Sequence, residues 1–85
     1  MVAQVRSEEK FARLCITYAG EEEENLICST VDTIAKKYGI EPESFKIVGM
    51  NDQNSIVVEC DEEMERIPGD FFEDVIKVLN VKVLH

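Results

Sequence analysis

Carboxylates are the one residue class in this sequence dense enough to act together. Glu21, Glu22, Glu23 and Glu24 stand in a row within AGEEEENLIC, and Asp61, Glu62, Glu63 and Glu65 crowd the stretch CDEEMER. Clustered carboxylates can neutralise a basic partner or surround a hard cation. Ca²⁺ takes several such oxygens at about 2.3–2.6 Å. Proton-transfer chemistry has less to work with. The sole histidine, His85, is the last residue, so the usual neutral-pH proton shuttle is missing. Phosphate-binding, zinc-protease, nucleophile-elbow and EF-hand signatures are absent from the chain. The expectation is therefore a protein that is not an enzyme and requires no cofactor, with Ca²⁺ as the cation that would suit its acids.

Three cysteines, Cys15, Cys28 and Cys60, show neither CxxC spacing nor an even count. A disulfide framework or zinc site does not follow from them. Each lies in an apolar stretch and reads as a small buried hydrophobe. A reducing cytoplasmic setting fits.

Charge narrows the partners. The chain of 85 residues has 18 acids against 9 Lys and Arg, a net charge of -9. That balance argues against nucleic acid, whose phosphates need clustered bases, and against anionic membranes. No apolar run approaches the roughly 20 residues of a membrane span. The first ten residues, MVAQVRSEEK, lack the apolar core of a signal peptide and read as a flexible polar lead. A strongly acidic surface also predicts a soluble monomer.

The elements that must position the acids follow from periodicity. FARLCITYA alternates as a strand, with Leu14, Ile16 and Tyr18 on one face and Arg13, Cys15 and Thr17 on the other. Leu26, Ile27, Val31, Ile34, Ala35 and Tyr38 then form a helical stripe over about residues 22–38. Acids at its start and Lys36-Lys37 near its end both suit the helix dipole, and Gly39 is a C-cap candidate. FKIVGM and SIVVEC read as a hairpin closed by residues 51–54. Asp61 is placed to cap a second helix, which Pro68-Gly69 interrupts and Asp70 restarts, with a stripe of Phe72, Val75, Ile76 and Leu79. Asn80 ends it, and VKVL is a last strand.

The order βαββαβ is the split βαβ pattern of ferredoxin-like domains: one α+β domain, an antiparallel sheet with two helices on one face. Its expected core is Leu14, Ile16, Tyr18, Phe45, Ile47, Ile56, Val58, Val81, Val83 and the helix stripes. If the first and third strands lie adjacent and parallel, both helices begin at one edge of the sheet. Glu21, Glu22, Glu23, Glu24, Asp61, Glu62 and Glu63 would then share one acidic rim.

A second architecture comes from a resemblance. TVDTIAKKYGIEPESFKIV, residues 30–48, resembles ubiquitin-like chains, and VGMNDQNSIVVECDEEMERI is similar to PB1 domains. The resemblance implies a β-grasp fold in which residues 24–29 form a second strand and the glutamates sit at a hairpin tip. It also implies an acidic docking surface at Asp52, Asp61, Glu62 and Glu63. On either architecture the expected function is an acidic module that docks a basic protein surface, with weak Ca²⁺ binding by the clustered carboxylates as the alternative.

Overall fold

The computed structural model describes residues 1–7, 11–51, 53–61 and 67–84, of which the side chains of residues 7, 61, 67 and 68 are not described. It is an α+β fold of five strands and two helices: β1 (Val2–Ser7), β2 (Phe11–Ala19), α1 (Glu21–Tyr38), β3 (Glu43–Val48), β4 (Gln53–Asp61), α2 (Ile67–Leu79) and β5 (Lys82–Val83). The strands form one mixed sheet in the order β3-β4-β2-β1-β5. Every pairing is antiparallel except β1 with β5.

The strand over FARLCITYA and the helix ending at Tyr38 stand where periodicity puts them. Residues 24–29, which the β-grasp reading needs as a strand, lie inside α1. Gly39 follows at φ 70, and the amides of Gly39 and Ile40 reach back to the carbonyls of Lys36 and Ala35. This is the Schellman closure that a left-handed residue permits. Asn80 (φ 53) repeats it on α2, with Val81 N–H on the Ile76 carbonyl.

Several expectations need correction. Residues 2–7 are no flexible lead: they form β1, inserted between β2 and β5 with a continuous ladder to β2. Asp61 closes β4 opposite Phe11, and the helix start it is expected to cap lies outside the described residues. Residues 62–66 lie outside the described residues. Pro68-Gly69 does not interrupt α2, because Pro68 falls in the first turn, where its missing N–H would have no helical acceptor anyway. Asp70 is accordingly a first-turn acid within the helix, not a cap.

Both helices cover the same face of the sheet. The core joins Ala3, Leu14, Ile16, Tyr18, Ile56, Val58 and Cys60 to Ile27, Val31, Ile34 and Ala35 of α1 and to Phe71, Phe72, Val75 and Leu79 of α2. Leu26 and Cys28 are exposed and flank this stripe, whereas Thr30 is buried within it. Cys28 is thus not a buried hydrophobe; Cys60 is, and Cys15 is intermediate. Phe45 and Ile47 also leave the expected core. Phe45 pairs with Val57 and Ile47 with Ser55, so their side chains share the face turned away from the helices. Phe45 is 45% exposed and Ile47 49%.

Candidate functional site

The four glutamates begin α1 directly after Gly20, whose positive φ of 88 turns the chain out of β2. Gly20 offers no side-chain cap, and the acids take over that end of the helix. Glu23 reaches back to accept the Ala19 N–H at 2.9 Å, which ties the first turn of the helix to the end of β2. Glu24 turns inward, accepts the Tyr18 hydroxyl at 3.1 Å and pairs with Lys46 of β3 at 2.8 Å. Lys46, and behind it the Tyr18 hydroxyl, hold the Glu24 carboxyl below its ordinary range. Glu24 in turn raises Lys46. Glu21 and Glu22 are exposed and make no ion pair or side-chain hydrogen bond among the described residues.

The remaining lysines of the helical layer are occupied. Lys36 pairs with Asp32 at 3.1 Å, Lys77 with Glu73 at 3.0 Å and Lys37 with Asp74 at 3.6 Å. The layer therefore presents free acid and tied base, with Glu21 and Glu22 at one end of it.

The structure sets the backbone of Asp61 far from the acids that begin α1. β2 and β4 are antiparallel, with Ala19 opposite Gln53 and Phe11 opposite Asp61. The helix after β2 thus starts at one end of the sheet, while β4 finishes at the other, a separation of about eight residues of strand, or roughly 26 Å. Asp61 belongs to that far end, and Glu62, Glu63 and Asp52 lie outside the described residues. Among the described residues no three carboxylate, thiol or imidazole groups gather closely enough to hold a metal ion. The structure brings Glu21, Glu22, Glu23 and Glu24 together and leaves Asp61 apart from them.

Where α1 meets α2, the Tyr38 hydroxyl donates to the Asp74 carboxylate, and the Tyr38 ring meets Phe71 edge-on at 6.3 Å. That hydrogen bond, ahead of burial, pushes the Tyr38 phenol up to about 12. The same bond lowers the Asp74 carboxyl, with Lys37 helping. A phenol raised in the folded state stabilises the fold fully below its unfolded value of 10.0, and this is lost as pH climbs toward about 12. The lowered carboxyl acts oppositely: its contribution is present above 3.8 and lost as pH falls below that. Denaturation across the pH range should therefore show an alkaline loss that Tyr38→Phe reduces. Tyr18, also raised, keeps the loss from vanishing. An alkaline limb unchanged in Tyr38→Phe would contradict the assignment.

Sequence reasoning put Arg13, Cys15 and Thr17 on the outer face of β2, where they are found, but missed the row of charges that assembles on the open face of the sheet. Register places four charges in one row across four strands there: Glu43 beside Glu59, Glu59 beside Arg13, and Arg13 beside Arg6. Arg13 and Glu59 form an ion pair at 2.7 Å, and the Arg13 guanidinium lies over the Phe11 ring at 5.0 Å. The neighbouring row holds Phe45, Val57 and Cys15. Val57 is only 3% exposed although it stands outside the main core. The signal available was hairpin parity. Pairing Val48 with Asn54 forces Phe45 onto the face of Val57, and so away from Ile56 and Val58.

These features define an α+β protein with two exposed acids at the start of α1 and a sheet face that neither helix covers. No protein-family model, curated protein or solved structure matches the chain.

Proposed function

We propose that this protein is a non-enzymatic binding module that docks a basic protein surface through the acidic end of its helical layer. One observation carries the reading: every lysine of that layer, and Lys46 beside it, is already held by an acid, while Glu21 and Glu22 have no cation of their own among the described residues. Glu23 and Glu24 are engaged locally and brace the turn that presents the other two. The accompanying fold reading is ferredoxin-like, a split βαβ unit of β2-α1-β3-β4-α2-β5 with β1 added between β2 and β5. Ca²⁺ binding is less well supported, because it drew on two acidic clusters sharing one edge.

Titration with a short lysine-rich peptide tests the docking surface. Backbone amide shifts should concentrate at residues 19–25. An exposed ion pair contributes about 0.2–1 kcal/mol, so Glu21→Gln with Glu22→Gln should weaken binding roughly two- to thirty-fold. Glu41→Gln, an exposed acid elsewhere, should have no comparable effect. Shifts spread evenly over all acidic positions would show an ordinary solvated surface and end the proposal.

A further inference from the structure

The charge row on the open sheet face is ordered by sign. From β3 to β1 it reads Glu43, Glu59, Arg13, Arg6, two acids followed by two bases. Among the described residues of the row, the central Arg13–Glu59 contact is the favourable one. Glu43 opposite Glu59, and Arg6 opposite Arg13, are like charges in direct cross-strand positions, which weakens a sheet. Arg6 is exposed and has no ion pair among the described residues. Among the described residues the fold gives no reason to set two of nine basic residues against each other on a chain of net charge -9.

A second copy supplies one. Two sheets stacked face to face can be related by a two-fold axis lying in the interface, either along the strands or across them. An axis across the strands at the charge row sets acid on acid and base on base. An axis along the strands reverses the row, so that acid-acid-base-base meets base-base-acid-acid. Every charge then faces its opposite: Arg6 meets Glu43 of the other copy, and Arg13 meets Glu59. Beside the row the second copy would cover the exposed Phe45 and Ile47, which flank Val57, itself already covered within its own chain. Strands in this arrangement run nearly aligned, as sheets commonly pack.

We propose that the protein forms an isologous dimer through the open face of its sheet, with the strands aligned and the reversed charge row fixing the pairing. The row itself sums to zero. The footprint, about four strands wide and six residues long, falls at the small end for protein interfaces and gives a weak, reversible dimer. This surface lies opposite the helical layer, and the inference does not depend on the docking reading above. The dimer would present two acidic ends outward.

Arg6 and Glu43 make the test decisive. In one chain they stand on strands three spacings apart, roughly 14 Å, beyond any direct contact; across the dimer they meet. Sedimentation of the full chain from about 10 μM to 1 mM, near physiological salt, should show a concentration-dependent dimer. Arg6→Glu should weaken association about tenfold or more, and so should Glu43→Arg. The double exchange Arg6→Glu with Glu43→Arg should restore it to within about threefold of the original. If charge reversal disturbs folding by circular dichroism, Arg6→Gln and Glu43→Gln give the same comparison, each expected to weaken the dimer. A monomer at every concentration overturns the proposal. So does a dimer indifferent to Arg6→Glu, which would point to pairing along the free edge of β3. Single exchanges that weaken association without rescue in the double would overturn the reversed row.

Discussion

Phe71→Ala is expected to remove a large share of the protein's stability. Phe71 is fully buried in the first turns of α2, edge-on to Tyr38 of α1 and 5.6 Å from the Phe72 ring. It therefore joins the two helices to each other as well as to the sheet. Truncating a buried Phe costs about 3–5 kcal/mol through lost transfer energy and the cavity left behind. A chain of this size has a total stability of roughly 4–13 kcal/mol. For such domains each 1 kcal/mol lowers Tm by about 4–8 °C, so a fall of at least about 12 °C should appear in a thermal melt. Val78→Ala, on the same helix at 66% exposure, should stay within about 0.5 kcal/mol of the parent. A Phe71→Ala melt within a few degrees of the parent would mean that α2 packs elsewhere.

The helices were legible because their signals are local and redundant. For α1 the apolar stripe, the acids at the start, the lysines at the end and Gly39 all agree, and the element runs to Tyr38. Asn80 stops α2 by the same backbone geometry. The exposure of Leu26 and Cys28 was harder to see, since apolar residues on either side of Ile27 cannot all turn inward. The sheet depended on non-local choices. Whether Phe45 faces the helices is set by the pairing of Val48 with Asn54, one register among several that the loop composition allows. The place of Asp61 has the same cause: α1 is acidic at its start as read, but the direction of β4 relative to β2 decides at which edge Asp61 falls. The charge row of Glu43, Glu59, Arg13 and Arg6 spans residues far apart in sequence and exists only once four strands are in register.

Removing β1 is the second large perturbation, and it opposes the sequence-level reading most directly. MVAQVRSEEK is mostly polar and alternates weakly, which is why it passes for a lead. Yet Ala3 is fully buried opposite Ile16, and β1 is the strand that joins β5 to the sheet, with Leu84 N–H on the Ala3 carbonyl at 2.8 Å. Deleting residues 1–7 would leave the β2 edge unpaired beside the core and β5 without its hydrogen-bonding neighbour. A flexible lead could be lost without consequence; this strand could not. Ala3→Glu is the finer test, since it keeps the backbone and forces a carboxylate into a site with no exposed surface. Burying an unpaired charge and overfilling the site should together cost more than about 3 kcal/mol. Gln4→Glu, one residue along and exposed on the other face, should change stability by no more than about 0.5 kcal/mol. Urea unfolding would separate the three variants. Equal midpoints for Ala3→Glu and Gln4→Glu, or a deletion as stable as the full chain, would return residues 1–7 to the status of a tail.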